Sequence, residues 1–141
     1  MDERLEVNRK IVGKCITVND HHIYGFAGLT MDYNPLHVDE ERARRSRFKG
    51  RIAHGLLSLS LGIGLISESI SGYFLYGFDK IRFLSPVRPG DSVCSEMVVN
   101  EVKDKGDFLL YYCELTLRKN DSPLLLAEAI IGEEKKKHDD S

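Results

Sequence analysis

The chain has no tryptophan, only four prolines and three cysteines, and no surplus of charge of one sign. Twenty Lys and Arg stand against 22 Asp and Glu, for a net charge of -2 at pH 7. A balance so close to neutral removes any global electrostatic argument for nucleic acid or an anionic membrane as partner. Three cysteines are an odd number, and Cys15, Cys94 and Cys113 lack the spacing of metal ligands. Their apolar, strand-like neighbours lead us to expect buried, reduced thiols. The charged N-terminus MDERLEVNRK has no apolar run of the kind that directs secretion, so a cytoplasmic protein is expected. An uninterrupted apolar span is lacking as well. The longest candidate, Ile52 to Ile70, carries His54, Ser58, Ser60, Ser67, Glu68 and Ser69, which suits a core helix better than a membrane crossing.

What is present fits one domain. With 141 residues, 42% of them hydrophobic, the chain can bury a substantial core. The β-branched run Ile11 to Val18 reads as a first strand, and Asn19 or Asp20 can cap a helix over His21 to Leu29. Pro35 disfavours a helical Asn34, making Asp32 to His37 a turn, and Asp39-Glu40-Glu41 suits the start of a short helix reaching about Arg45. A helix is expected from Ala53 to about Ser71, roughly 27 Å at 1.5 Å per residue. Gly55, Gly62 and Gly64 each weaken it by about 1 kcal/mol relative to alanine, so another element should approach its backbone closely. Beyond it the period changes. DKIRFLSPVRPGDSV, CSEMVVNEV, DFLLYYCELTLRK and PLLLAEAIIG are strand-like runs separated by turn residues, read here as a four-strand antiparallel meander. The class is therefore α+β, with a sheet wrapping a hydrophobic helix. The domain is set at 1–132, and the charged tail 133–141 is expected to be disordered.

The residues able to do chemistry gather between the first helix and the long one. Asp32 and His37 lie five apart around Asn34-Pro35, and a histidine beside a carboxylate can move protons near neutral pH. Taken alone the spacing is weak, because a loop Asp ordinarily serves a turn. His54-Gly55 then opens the apolar helix. Amide hydrogens at a helix start are unpaired and partly positive, and Gly55 has no side chain to obstruct a ligand, so its N–H suits an oxygen that becomes negative during reaction. Ser60 lies five residues further on and need not face the same way. Arg44, Arg45, Arg47, Lys49 and Arg51 form the densest basic run, either a solvated face or an anion-binding rim.

Together these features resemble a known family. The stretch FAGLTMDYNPLHVDEERARRSRFKGRIAHGLLSLSL, Phe26 to Leu61, is similar to the MaoC-like dehydratases of the R-specific enoyl-CoA hydratase type: Asp32, Asn34, Pro35 and His37 stand in register, followed by Arg51, His54 and Gly55. The motif covers about a quarter of the chain, and FLSPVRPGD ahead of a long strand extends the likeness over nearly all of it. The resemblance implies a hot-dog fold, a long central helix wrapped by a curved antiparallel sheet, assembled as a homodimer or a higher multiple of it. It implies Asp32 and His37 as the catalytic pair, Gly55 as the oxyanion-binding amide, and Asn34, Ser60 and His54 in support. The implied reaction is reversible hydration of a trans-2-enoyl-CoA to an R-3-hydroxyacyl-CoA. No metal or redox cofactor is called for, and coenzyme A enters as part of the substrate, its phosphates meeting Arg47, Lys49 and Arg51. A hot-dog acyl-CoA thioesterase and a non-catalytic acyl-thioester binding domain are the alternatives. One departure is visible: Met31 precedes Asp32 where the family commonly has glycine, and methionine tolerates positive φ poorly.

Overall fold

A computed structural model describes residues 5–136. The order of elements is β1 (Lys10–Thr17), α1 (Asp20–Thr30), α2 (Pro35–Val38), α3 (Glu40–Arg44), α4 (Gly55–Gly64), a 3-10 turn at Ser67–Ile70, then β2 (Phe74–Phe83), β3 (Ser92–Asp104), β4 (Phe108–Lys119) and β5 (Ser122–Glu134). The five strands form one antiparallel sheet in the order β1-β3-β4-β5-β2. Only β3, β4 and β5 make the expected meander. β2 crosses to pair with β5, and the segment after Phe83 leaves the sheet before β3 begins.

Alternation along three strands builds the core. Val93, Ser95, Met97 and Val99 on β3, Tyr111, Cys113, Leu115 and Leu117 on β4, and Leu125, Ala127, Ala129 and Ile131 on β5 are all buried, one residue in two, as a pleated sheet with one covered face requires. Each fully buried aliphatic side chain among them contributes about 1.5–3 kcal/mol. Leu57, Leu59 and Ile66 join them from α4 and the turn that follows it. Gly62 shows why this helix tolerates glycine: a Cβ there would stand 3.2 Å from Leu115 Cδ2 on β4. Gly64, in contrast, faces open space and has no such explanation.

The helix is shorter than its sequence suggests. It spans 10 residues, about 15 Å, and the chain continues as tighter turns. The cause lies in two carbonyls taken by the sheet. Ser95 Oγ on β3 donates to Gly62 O at 2.5 Å, and the Lys14 amide on β1 donates to Leu65 O at 2.9 Å. The amides of Ile66 and Ser69 bond three residues back instead, to Ile63 and Ile66.

Two further expectations need correction. Cys15 and Cys94 are not reduced thiols: they stand opposite each other where β1 pairs with β3 and form a disulfide between residues 79 apart in sequence. Cys113 is the buried free thiol among the described residues, its pKa pushed up to about 12 by burial, with Glu128 adding to it. The boundary after residue 132 falls inside β5, where Glu133 accepts from Tyr111 Oη at 2.7 Å and Lys135 pairs with Asp104 at 2.7 Å. Residues 137–141 lie outside the described residues. Among the described residues no helix is long and apolar enough to cross a membrane.

Met31 closes α1 in the left-handed conformation, φ 67° and ψ 18°, the geometry for which glycine is the unstrained residue. Its side chain is 73% exposed, so little packing offsets the strain. Met31→Gly should therefore stabilise the protein by about 1 kcal/mol, read as a higher denaturation midpoint at unchanged slope. A lower midpoint would show that the methionine side chain makes a compensating contact.

Candidate active site

The loop after α1 is built almost entirely from local hydrogen bonds. Asp32 Oδ1 accepts from the Asn34 amide at 3.2 Å, Asn34 Oδ1 accepts from the Leu36 amide at 3.0 Å, and the Asn34 carbonyl accepts from the His37 amide at 2.9 Å. Asn34 thus caps α2, where Pro35 takes the first helical position that needs no N–H. This single residue ties the carboxylate of Asp32 to the backbone of His37. Asp39 repeats the device, capping α3 by accepting from the Arg42 amide.

The loop then meets the start of α4. His37 Nδ1 lies 2.8 Å from the carbonyl of Ile52. A carbonyl can only accept, so the proton sits on Nδ1 and the lone pair on Nε2 is left for chemistry. The Ile52 amide returns a bond of 3.1 Å to Leu36 O. His54 Nε2 lies 3.0 Å from the Asp32 carbonyl and by the same reasoning donates to it. The two imidazoles stack with centroids 3.9 Å apart and planes 29° from parallel, while Phe26 stands 4.9 Å from His54 on another side. One ligating atom each from Asp32, His37 and His54 lies within 4.8 Å of the others.

Such a cluster invites the question of a metal. Ring nitrogens bind ions in the plane of the ring, and rings stacked this near to parallel share no nearby line where both planes meet. The geometry argues against His37 and His54 ligating one ion together. It suits instead a carboxylate and a neutral imidazole facing one small polar molecule.

Gly55 is the first residue of α4, and His54 gives no side-chain cap to the helix. A Cβ at Gly55 would stand 3.0 Å from the Phe83 ring, so the glycine admits close approach of β2, and its amide belongs to the first turn of α4, which has no intrahelical acceptor. A cavity of about 250 Å³ borders this glycine, with Phe48, Ile52, Phe83, Leu84 and Leu124 as apolar walls and Arg47 at its margin. A larger cleft, about 470 Å³, lies by the β3–β4 turn and the end of β5, away from all candidate residues.

The remaining candidates divide. Arg47 borders the cavity, its guanidinium 5.2 Å from the Phe48 ring centroid, and Lys49 is exposed nearby in a left-handed conformation. Arg51 is placed otherwise. Its side chain is 11% exposed, pairs with Asp20 at 2.7 Å and Glu40 at 3.4 Å, and donates to His37 O at 3.3 Å. The hydrogen bond it donates to Asp20 is the main reason its already high pKa is raised further. It braces α1, α3 and the His37 turn, and is not disposed as a phosphate contact. Ser60 also falls outside the site: its exposed hydroxyl donates to Leu56 O within its own helix. The buried helix serine beside the cavity is Ser58, whose hydroxyl reaches back to His54 O at 3.4 Å. Sequence reasoning missed the roles of the Ile52 carbonyl, of Asp20 and of Phe83. Only the recurrence of serine every second residue hinted at Ser58.

With the geometry established, comparison with known proteins places the chain. A family model described as a MaoC like domain matches residues 4–110, and the chain belongs to this family of MaoC-like dehydratases. It is 35% identical over 102 residues to an (R)-specific enoyl-CoA hydratase of Rhodospirillum rubrum, covering 72% of this chain and 71% of that one. It is 34% identical over 140 residues to a 3-hydroxybutyryl-CoA dehydratase of Methylorubrum extorquens, covering 98% and 87%. The solved (R)-hydratase from A. caviae involved in PHA biosynthesis superposes with a TM-score of 0.77 at 26% identity, covering 92% of this chain and 98% of that one. The fold is accordingly the hot-dog fold of the hydratases and dehydratases.

Burial pushes the pKa of His37 below its ordinary value; the bond to Ile52 works against this, His54 adds to the depression and Asp32 opposes it. A base with a depressed pKa is neutral at pH 7 and gains its proton only at lower pH. If His37 must be neutral to act, the acid limb of kcat/KM should be centred below pH 6.5, the ordinary histidine value. An acid limb centred above 6.5 would contradict this placement of the ring.

Proposed function

We propose that the protein hydrates trans-2-enoyl-CoA thioesters reversibly to R-3-hydroxyacyl-CoA, with Asp32 and His37 as the acid/base pair and the Gly55 amide as the oxyanion donor. The observation that carries this reading is the Nε2 lone pair of His37, left over by the bond from Nδ1 to Ile52 O, on a ring that has one nitrogen within 4.8 Å of an Asp32 carboxylate oxygen. Asp32 orients a water, and His37 Nε2 takes one of its protons as the oxygen bonds to C3. The C2=C3 electron pair moves toward the thioester, and the negative charge on its oxygen is met by the Gly55 N–H at the positive end of α4. Collapse of that enolate draws the proton from His37 onto C2. The sum is one water added, with His37 neutral again and no metal or redox cofactor required. Because one group takes and returns the proton, hydrogen and hydroxyl arrive on the same face.

The names of the relatives support coenzyme A as carrier. In this reading the thioester lies in the cavity beside Gly55, and Arg47 and Lys49 meet the phosphates. β2 is an edge strand that leaves Phe74, Leu75, Tyr76 and Phe83 exposed, which favours pairing of two copies as a homodimer.

Asp32→Asn and His37→Ala should each lower kcat by about 10² to 10⁴, and the double variant should be scarcely worse than either, because both act on one water. Additive losses, or near-normal rates in both single variants, would remove the pair from the chemistry. Arg47→Glu with Lys49→Glu should raise KM for an enoyl-CoA and leave kcat near wild type, as expected for contacts made equally in ground and transition states. An unchanged KM would place the carrier elsewhere.

A further inference from the structure

His54 is the most deeply buried charge-capable residue of the site, 1% exposed, and the proposed reaction gives it no proton to carry. It nevertheless touches both members of the pair. Its Nε2–H donates to the carbonyl of Asp32, and its face lies against the ring of His37. Its other nitrogen, Nδ1, is buried without a hydrogen-bond partner, so nothing else in the described residues fixes this ring through that edge. A histidine placed only to fill space would be an unfavourable choice, because a buried, unpartnered acceptor gives up its hydration with nothing in return. A phenylalanine would fill the same volume without that cost.

We infer that His54 is a positioning residue that sets the spacing of the pair, holding the Asp32 backbone by its Nε2–H and the His37 ring by stacking. The inference rests on the hydratase reading for its effect on rate, but its structural content does not. Asp32 sits on an exposed loop whose other described bonds are local: its amide donates to Thr30 Oγ1 at 3.3 Å and its carboxylate accepts from the Asn34 amide. The bond to His54 is the one that carries Asp32 across to the start of α4. His37 is held from the opposite side by Ile52 O through its ring and by Arg51 through its carbonyl. The His54 ring therefore completes a clamp. Without it, the His37 ring keeps one hydrogen bond but can rotate about it, and Asp32 keeps only the loop.

Two substitutions separate the donor from the volume. His54→Phe keeps an aromatic ring and loses the donor, whereas His54→Gln restores an amide N–H close to the Nε2 position and loses the ring. With trans-2-butenoyl-CoA, His54→Phe should lower kcat by about 10²-fold while KM changes little, since a small misplacement of acting groups costs that much. His54→Gln should recover most of the loss. Both should melt cooperatively. A Phe variant with wild-type kcat, or a Gln variant no better than Phe, would overturn the inference.

Nitrogen NMR of the histidine rings supplies a second readout that needs neither substrate nor a well-behaved variant. The wild-type protein should show His54 protonated at Nε2 and His37 at Nδ1, each as a single tautomer. Finding His54 protonated at Nδ1, or averaging between tautomers, would overturn the clamp even if the Phe variant failed to fold. If the wild type showed these tautomers yet hydrated no enoyl-CoA, the clamp would stand and the hydratase reading would fall.

Discussion

The hydrogen bond from His37 Nδ1 to the carbonyl of Ile52 joins the two halves of this site. One half is a loop with no regular structure beyond two short helices, and the other is the rigid entry to a helix packed on the sheet. A loop alone cannot hold a carboxylate and an imidazole to within the fraction of an ångström that proton transfer needs. Anchoring the imidazole to Ile52 transfers the precision of α4 to the loop. The same bond selects the tautomer, and so decides which ring nitrogen is left with a lone pair. Asn34 passes the constraint back to Asp32, and Arg51 braces the turn from the side of Asp20 and Glu40.

The sheet contributes at a distance. By taking the carbonyls of Gly62 and Leu65, Ser95 and Lys14 shorten α4 at its far end, while Gly62 lets the helix lie close on Leu115. The start of α4 thus reaches the site as the end of an element fixed elsewhere, with Gly55 in its first turn and no side-chain cap on it. Phe83, from the edge strand β2, packs on that glycine and makes one wall of the cavity. A backbone donor held on a packed element needs no reorganisation when charge develops beside it.

Local chemistry was legible in the sequence where it depends on neighbours in the chain. Asn34-Pro35 announced a turn and Asp39-Glu40-Glu41 a helix start, while the composite of Asp32, His37, His54 and Gly55 came from the family resemblance; the structure gathers Asp32, His37 and His54, with Gly55 next to His54 in the chain. Features that depend on pairing were not legible. The opposition of Cys15 and Cys94 follows from the register of β1 on β3, which no spacing reports, and the crossing of β2 to β5 follows from topology. Arg51 read as one of a run of cations because its partners, Asp20 and Glu40, come from two other elements. Ser60 was favoured over Ser58 by family likeness, yet helical geometry turns Ser58 inward and Ser60 out. The helix looked twice as long as it is because apolar composition continues past Gly64, while its backbone carbonyls are claimed by strands far along the chain. The strain at Met31 was legible through the family resemblance, in which glycine commonly stands at that position.

The measurement that bears most directly on the central claim is product analysis in D₂O with the wild-type protein and trans-2-butenoyl-CoA. Addition of water by one shared acid/base pair predicts loss of the conjugated enone absorbance without release of free thiol. The product should be the R-3-hydroxybutyryl thioester with deuterium at C2 on the face that received the hydroxyl. Release of free coenzyme A with the double bond intact would contradict the account and make the site that of a thioesterase. Deuterium on the opposite face would show that two separate groups handle the protons, against the single histidine shuttle derived from the geometry of His37.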